Sequence, residues 1–194
     1  MVPSPPAVPA VPAVLLAAGG GTRFAGPGHK LLARLGDRSV IAHAATNAAR
    51  SGLSPLVVVT GAVDVRAELP ANTIVLANPD WDQGQATSLA VATAWARAEA
   101  WAAIVVGLAD QPGVPPAAWQ AVAAADTTPI AVATYGGRRG HPVRLAATIW
   151  DRLPTSGDTG ARVLMARLPE LVTEVACAGR PFDIDTVEDL ARWT

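Results

Sequence analysis

Residues 14–32 read VLLAAGGGTRFAGPGHKLL, and this stretch decides how the rest of the chain is interpreted. Its apolar start predicts a buried strand that leads directly into three glycines, Gly19, Gly20 and Gly21. Glycine permits backbone conformations closed to other residues and lets a ligand approach the N–H groups closely. Because Arg23 and Lys30 follow, the stretch predicts a phosphate-binding loop. A tight turn with solvated cations is the alternative.

Two common phosphate-binding patterns do not fit this loop. A P-loop requires Gly-Lys followed by Ser or Thr, whereas Lys30 stands between His29 and Leu31. A dinucleotide fingerprint requires a third glycine where this chain has Phe24, and the residues AGPGHK are too broken to open a helix. Neither of these two patterns therefore accounts for the loop.

The composition excludes several classes of protein. The 194 residues are 51% hydrophobic and 16% charged, with a formal net charge of −1. A nearly neutral chain is a poor match for a nucleic-acid partner bound through its phosphate backbone. No uninterrupted apolar stretch is long enough to cross a membrane, so no membrane partner is expected. The single cysteine, Cys177, excludes an internal disulfide and favours a buried apolar thiol over a catalytic one.

The N-terminal residues MVPSPPAVPAVPA are rich in proline and lack the basic segment of a signal peptide. They predict a flexible proline- and alanine-rich tail over residues 1–10, followed by one domain over residues 11–194. A cytoplasmic location is the default expectation for such a chain.

Apolar runs alternate with amphipathic runs along the domain. We predict strands at 11–17, 56–60, 73–77, 102–110, 129–135 and 171–177, and helices at 39–50, 63–69, 87–100, 116–125, 146–153, 158–168 and 187–193. The residues GGRRGHPVRL predict a turn and a short extended segment. The fold class is therefore α/β, a single-domain Rossmann-like α/β/α arrangement of three layers with a mostly parallel sheet. Such sheets bind ligands at the carboxyl ends of their strands, where the glycine loop and Asp110 both fall.

The stretch LAAGGGTRFAGPGHKLL resembles the signature L-A-A-G-x-G-T-R-F-G-x-x-K-x-L of the nucleotidyltransferases related to molybdenum-cofactor cytidylyl- and guanylyltransferases. Five further stretches agree with that family in order: NPDWDQGQATSL at 78–89, GLADQP at 107–112, GHPVRL at 140–145, GDTGAR at 157–162 and DIDTVEDL at 183–190. The cytidylyltransferase branch is the most similar. In one departure, GPGH lengthens the gap before Lys30, and in another Val187 replaces a frequent proline.

The resemblance implies a Mg²⁺-dependent transfer of a nucleoside monophosphate from an NTP, with CTP expected, to a phosphorylated acceptor such as molybdopterin. Pyrophosphate leaves, and the acceptor phosphate is itself the nucleophile. The protein then has to align the reactants and neutralise charge. A molybdoenzyme or its chaperone is the implied protein partner.

The same resemblance assigns Asp110 and Asp185 as the metal ligands, since Mg²⁺ favours oxygen donors. Asp183 is a weaker candidate. The alternatives are structural: Asp110 as the cap of the following turn, and Asp185 as the N-cap of the last helix in a capping box with Glu188.

Lys30, Arg23 and Asp110 form the implied catalytic set, with Lys30 on the transferred or departing phosphates and Arg23 on the β/γ region. The implied nucleotide-binding set is Ala17, Ala18, Gly19, Gly20, Gly21, Thr22, Arg23, Lys30, Thr60, Gly61, Asn78, Gly84, Ser88 and Asp110. The implied acceptor-binding residues are Gln111, His141 and Arg162. Helix capping is the alternative for Asn78, and a structural role is the alternative for the lone His141. Asp158, which precedes a predicted helix, is expected to be the N-cap of that helix.

Three other functions stay open. The nucleotide could be GTP in a guanylyltransferase of the same fold. An oxidoreductase could use the glycine loop for NAD(P)H, although the missing third glycine and the acids at Asp110 and Asp185 count against it. A non-catalytic chaperone that binds a nucleotide or cofactor is the third alternative.

Overall fold

The computed structural model describes residues 10–193. The strands of this part of the chain are β1 (Ala13–Ala17), β2 (Arg34–Leu35), β3 (Arg38–Ser39), β4 (Leu56–Thr60), β5 (Ile74–Ala77), β6 (Ala103–Leu108), β7 (Ile130–Tyr135), β8 (Arg138–Ala146) and β9 (Val172–Ala176). The helices are α1 (Val40–Arg50), α2 (Gln85–Ala98), α3 (Pro116–Ala124), α4 (Arg162–Arg167) and α5 (Val187–Ala191). Short 3₁₀ helices lie at Lys30–Leu32, Arg66–Glu68, Trp81–Gln83, Ala147–Arg152 and Pro169–Leu171.

The expected flexible tail over residues 1–10 lies outside the described residues except for Ala10, and it stays a prediction, as does the domain boundary that follows it. Among residues 10–193, no helix combines the length and the apolar character that crossing a membrane requires.

Seven strands form one sheet in the order β5-β4-β1-β6-β8-β7-β9. The four strands from β5 to β6 are parallel to one another, β8 is antiparallel to both of its neighbours, and β9 runs parallel to β7. The prediction of a mostly parallel sheet is confirmed. Because β1 lies between β4 and β6, the glycine loop after β1 and Asp110 after β6 reach the same edge of the sheet.

Strand β8 is the main departure from the expected fold, since residues predicted as a turn and a short extended segment form a nine-residue strand inside the sheet. Its ladder with β7 shifts register: Val143 pairs with Val132, but Gly140 pairs with Ala133. The two residues between them, His141 and Pro142, therefore form a bulge. A bulge accommodates a proline that cannot donate to the ladder, and it interrupts the alternation by which strands are recognised in sequence.

Helices cover both faces of the sheet and complete the three layers. One face packs Leu15 and Val58 against α1 and α3, and the other packs Val14 and Val57 against α2 and α4. All five residues of β1 and of β4 are buried, as expected for strands that are covered on both sides.

Three predicted helices are shorter than expected. The helix predicted at 63–69 is one 3₁₀ turn at Arg66–Glu68, the one at 146–153 is the 3₁₀ helix Ala147–Arg152, and the one at 158–168 is reduced to α4. Gly157 and Gly160 have positive φ angles, which a right-handed helix does not accommodate. The residues before α4 instead form a loop that reaches the site described next.

Candidate active site

Three charged side chains from distant parts of the chain meet at the carboxyl edge of the sheet. The ammonium of Lys30 donates to Asp110 Oδ2 over 2.6 Å and to Asp185 Oδ1 over 2.7 Å. The Lys30 side chain is 11% exposed and each carboxylate is 19% exposed. Because these charges are partly withdrawn from water, their interactions are stronger than those of surface ion pairs.

The backbone beside Asp110 brings Asp185 into this cluster. The N–H of Ile184 donates to the carbonyl oxygen of Asp110 over 2.9 Å, and the Ile184 side chain is fully buried. This anchor places Asp183 and Asp185 on either side of it. Residues 183–185 therefore act as a short extended segment laid against the end of β6.

Asp185 does not cap helix α5, so its carboxylate can interact with Lys30. Thr186 is the N-cap, and its hydroxyl accepts from the Asp189 N–H while Asp189 accepts from the Thr186 N–H, which completes a capping box. The capping alternative for Asp185 with Glu188 is therefore wrong. The helix begins one residue later than that alternative requires, and the Asp185 carboxylate points to Lys30 instead.

The Asp110 carboxylate also carries an unused acceptor. Its Oδ1 atom is buried and has no hydrogen-bond partner within residues 10–193. A buried carboxylate oxygen without a partner is costly unless a cation or donor completes it. No group of three or more His, Cys, Asp and Glu side chains in that range is arranged to hold a metal ion, so protein side chains supply at most two carboxylates here. The donor set therefore fits a hard cation that takes its remaining ligands from phosphate and water.

Charge interactions determine the protonation of the cluster. Burial acts to lower the pKa of Lys30, but the charges of Asp110 and Asp185 and their hydrogen bonds outweigh it and raise that pKa above its ordinary value. Lys30 is therefore an ammonium at neutral pH. Burial, and then the charge of Asp110, raise the pKa of Asp183, whose Oδ1 accepts from Gln111 Nε2 over 2.7 Å.

The glycine loop lies directly above the cluster. The N–H groups of Gly20 and Gly21 donate to no acceptor among residues 10–193. Arg23 is exposed, and its guanidinium forms an ion pair with Asp185 Oδ2 at 2.9 Å. Free N–H groups next to two cations form a cradle that suits an anion.

The contacts of His29 hold the lengthened loop in a conformation that places Lys30 beside Asp110. Its Nε2 lies 2.9 Å from the carbonyl oxygen of Gly19, and its Nδ1 accepts from the Leu31 N–H over 3.2 Å. These roles require a neutral ring with the proton on Nε2. Burial lowers the pKa of His29, with the neighbouring charge of Lys30 acting in the same direction, which favours that neutral form. The extra residues GPGH thus fold back onto the loop and leave Lys30 within reach of Asp110.

A cavity of about 330 Å³ opens between the loop and the cluster. Its lining residues are Leu16, Ala17, Gly19, Gly20, Gly21, Thr22, Arg23, Lys30, Leu31, Asp110, Asp158 and Asp185. We call the side formed by Arg23, Lys30, Asp110 and Asp185 the charged wall.

Asp158 also lines the cavity. We call the segment 78–88, together with Gly157 and Asp158, the packed wall; of these residues only Asp158 is in the cavity lining. A Cβ on Gly84 would lie 2.5–2.8 Å from the backbone of Gly157, so the two chain segments touch through their backbones. Asp158 accepts from the N–H of Gln85 over 3.3 Å and so caps α2, whereas the sequence predicted that it caps its own helix. The ring of Trp81 packs so closely on Gly20 that a Cβ there would lie 2.9 Å from it.

Asn78 and Ser88 lie inside the packed wall rather than on its surface. The amide nitrogen of Asn78 donates to the hydroxyls of Thr87 and Ser88, each over 2.9 Å, and its oxygen accepts from the N–H of Asp80. Asn78 is 2% exposed. Its hydrogen bonds join the end of β5 to the first turn of α2, and they leave little capacity for a ligand.

The structure brings together part of the predicted site. Nine of the predicted residues line the cavity: Ala17, Gly19, Gly20, Gly21, Thr22, Arg23, Lys30, Asp110 and Asp185. The others lie outside its lining: Ala18, Thr60, Gly61, Asn78, Gly84, Ser88, Gln111, His141 and Arg162. Asp158, Leu16 and Leu31 line it without having been predicted as ligand-binding. Their sequence signal was present, because each lies inside a stretch that resembles the family.

Two of the expected acceptor residues adjoin the cluster from another side. Gln111 follows Asp110 directly and is buried, and its side-chain amide oxygen Oε1 has no partner within the described part of the chain. His141, in the β8 bulge, feels the charge of Asp110, but burial dominates and lowers the pKa of His141 to about 4. Arg162 is exposed at the start of α4.

Comparison with known proteins identifies the class. The model of the MobA-like NTP transferase domain matches residues 13–172. Rv0371c from Mycobacterium tuberculosis H37Rv is 32% identical, with a TM-score of 0.82 over 96% of this chain and 98% of that chain. A nucleotidyl transferase from Methanothermobacter is 25% identical, with a TM-score of 0.81 over 94% of this chain and 95% of that chain. A search of curated proteins found no significant match.

A second structure of Rv0371c, described as a complex with manganese, aligns with 28% identity and a TM-score of 0.75 over 95% of this chain and 98% of that chain. The class that the fold defines is a nucleotidyltransferase, which uses an NTP as substrate. More narrowly, the chain belongs to the MobA-like NTP transferase family, whose model spans most of its length.

Proposed function

We propose that this protein is a Mg²⁺-dependent cytidylyltransferase that moves CMP from CTP to the phosphate of molybdopterin. An oxygen of the acceptor phosphate attacks the α-phosphorus of CTP. The bond from that phosphorus to the oxygen bridging to the β-phosphate breaks, and pyrophosphate leaves with the bonding pair. No protein nucleophile takes part in this balance.

One observation carries the proposal: Lys30, Asp110 and Asp185 converge beside a glycine loop in which the N–H groups of Gly20 and Gly21 have no acceptor among residues 10–193. Two carboxylates and an ammonium within hydrogen-bond distance, lining a cavity next to an anion cradle, suit a metal-bound triphosphate. A dinucleotide-binding oxidoreductase has no evident use for this pair of acids.

Asp110 and Asp185 would hold the metal ion. The unused Oδ1 of Asp110 supports this assignment, because a cation would complete it. The related Rv0371c structure with manganese indicates that a divalent cation is compatible with this fold. When bound, the ion would neutralise charge on the phosphates and hold them in line for attack.

Lys30, Arg23 and the loop would hold the triphosphate. The N–H groups of Gly20 and Gly21 would donate to phosphate oxygens, as backbone amides do in other anion-binding loops. Arg23 is exposed at the mouth of the cavity and would meet the β- and γ-phosphates. Lys30, deeper in the site, would stabilise the charge that develops on the leaving oxygen.

The acceptor would approach from the side of Gln111, His141 and Arg162. The buried side-chain amide oxygen of Gln111 can accept from an N–H group of a pterin ring. His141 is neutral at physiological pH, so it would offer a hydrogen bond rather than a charge. Arg162, which is exposed, is the candidate for the acceptor phosphate.

The choice of CTP and molybdopterin rests on the motifs that resemble the cytidylyltransferase branch, above all GLADQP and DIDTVEDL. A molybdoenzyme or its chaperone would then receive the product. Use of GTP, an NAD(P)H-dependent oxidoreductase and a non-catalytic binding protein are the alternatives that the experiment below separates.

The test is pyrophosphate release with CTP, GTP, ATP and UTP, each with and without molybdopterin and with Mg²⁺ present. We expect release only with CTP and molybdopterin together, and none from the Asp110→Asn variant. Release with GTP instead would make the protein a guanylyltransferase. No release with any nucleotide, combined with a thermal shift by Mg-CTP, would support the binding protein, and a shift by NADPH alone would support the oxidoreductase.

A further inference from the structure

The Lys30 ammonium occupies the position between Asp110 and Asp185 that a bridging cation would take. It lies 2.6 Å from one carboxylate and 2.7 Å from the other, and its side chain is almost fully buried there. Two carboxylates this close to one point repel each other unless a positive charge lies between them. The ammonium therefore holds the acid pair together in the ligand-free chain.

The Lys30 ammonium also has a second position within its reach, beside the glycine loop. It lines the same cavity as the free N–H groups of Gly20 and Gly21, so its flexible four-carbon chain lies beside the cradle for the triphosphate. Its backbone is held by the 3₁₀ helix Lys30–Leu32 and by the His29 contacts, so that only the side chain has to move.

We propose that the Lys30 ammonium and a divalent metal ion are alternative occupants of the Asp110–Asp185 pair, and that arrival of a triphosphate exchanges one for the other. The metal alone binds weakly, because it must displace two short, charge-assisted hydrogen bonds. A triphosphate offers Lys30 new anionic partners and supplies further ligands to the metal. By linkage, metal and triphosphate each strengthen the binding of the other.

This inference rests on the proposed function in one respect, the assignment of Asp110 and Asp185 as the metal ligands. It goes further because it gives Lys30 a role before any substrate is bound and predicts the order of binding: the metal enters together with the nucleotide. It also assigns different roles to the two cations that contact Asp185. Arg23 contacts only Oδ2 of Asp185, and the Arg23 side chain is exposed.

The test measures Mn²⁺ binding to the full chain without nucleotide, from the loss of the free-ion signal in electron paramagnetic resonance. We expect Lys30→Gln and Lys30→Met to bind Mn²⁺ about ten- to a hundredfold more tightly than wild type, the equivalent of losing one or two charge-assisted hydrogen bonds. The Gln variant keeps a donor near the carboxylates, so it serves where the Met variant folds poorly.

Arg23→Gln is the matched control, because it also removes one positive charge that touches Asp185. If net charge alone governed Mn²⁺ affinity, Arg23→Gln and Lys30→Gln would tighten binding equally, and the proposal would be overturned. We expect less than about a threefold effect from Arg23→Gln, since exposed ion pairs contribute little. The double variant Lys30→Gln/Asp110→Asn should lose the tight Mn²⁺ binding, which places that binding at this pair.

The proposal and the proposed function fail in different ways. If wild type releases pyrophosphate with a metal requirement but the Lys30 variants bind Mn²⁺ no more tightly than wild type, the exchange is wrong and the catalytic assignment stands. If the Lys30 variants bind Mn²⁺ more tightly and Asp110→Asn abolishes that gain, while no nucleotide is transferred, the exchange stands and the reaction is wrong.

Discussion

The charged wall and the packed wall are built from different kinds of contact. The charged wall is joined by side chain to side chain, with Lys30 bridging two carboxylates that lie 80 and 155 residues away in sequence. The packed wall is joined largely through backbone, by the close approach of Gly84 to Gly157 and by the hydrogen bond from Gly157 to Gln83. The first kind of contact can be exchanged for contacts to a ligand, whereas the second cannot be broken without moving the chain.

This difference separates the residues that are expected to bind substrate from those that hold the fold together. Within the described part of the chain, Asp110 Oδ1 has no partner and the N–H groups of Gly20 and Gly21 beside it donate to no acceptor, so the charged wall and the adjoining glycine loop can bind new partners. In the packed wall, Asn78 uses both nitrogen and oxygen in hydrogen bonds, and Asp158 caps α2. We therefore expect substitutions in the charged wall to change turnover and those in the packed wall to change stability.

The largest expected effect is that of Asp110→Asn, which keeps the size of the side chain but removes its charge. Since a bound metal ion is worth several kcal/mol in such reactions, turnover should fall about 10³-fold or more. Pyrophosphate release at saturating Mg-CTP and acceptor measures it. Asp158→Asn, on the packed wall, should lose less than about tenfold; an equal loss would remove the distinction between the walls.

A smaller effect is expected within the charged wall itself. Lys30→Ala should lower turnover about a hundredfold, the scale of losing one preorganised charge contact in a transition state. Arg23→Ala should lower it less than about tenfold, because its side chain is 75% exposed and water screens its charge. The measurement is the ratio of the kcat values of the two variants. Equal small losses would show that the loop supports the fold and takes no part in the reaction.

Gly84→Ala tests the packed wall. Its φ of +108° is unfavourable for any L residue, and the added Cβ would meet the Gly157 backbone at 2.5–2.8 Å. We expect a loss of about 2–3 kcal/mol in the free energy of unfolding, measured with urea. Gly19→Ala is the control, since a Cβ there meets nothing within 4 Å and should cost less than about 0.5 kcal/mol. If the two variants lost similar amounts of unfolding free energy, the close contact of Gly84 and Gly157 would not be the cause of the loss.

The smallest expected effect concerns pH. Burial lowers the pKa of His141 from 6.5 to about 4, against the opposing charge of Asp110. As pH falls from 6.5 to 4, the unfolded chain gains a proton at His141 that the folded chain does not, so the folded chain loses stability in that window. His141→Gln should lose about 2 kcal/mol less than wild type between pH 7 and pH 4 in urea unfolding. Parallel curves for the two proteins would contradict a ring that stays neutral in the folded chain.

Local sequence patterns predicted most of the sheet, and the resemblance to the family supplied the candidate residues of the charged wall. The β-branched run Leu56–Thr60 and the run Ala103–Leu108 were recognisable as strands from composition alone, and Asp110 at a strand end follows from the same pattern. Strand β8 was missed because the bulge at His141 and Pro142 interrupts the alternation. The role of Asp158 was missed because a residue before a helix was expected to cap that helix, and instead it caps α2.

The sequence by itself determined the alternation of strands and helices, the glycine loop after β1 and the identities of the charged residues, because each of these is encoded within a few neighbouring positions. Only the tertiary structure decided that Lys30 lies between two carboxylates, that Asp185 is not the α5 cap, and that the loop before α4 contributes Asp158 to the cavity lining. Contacts between residues so distant in sequence depend on how the layers pack, and no local pattern specifies that packing.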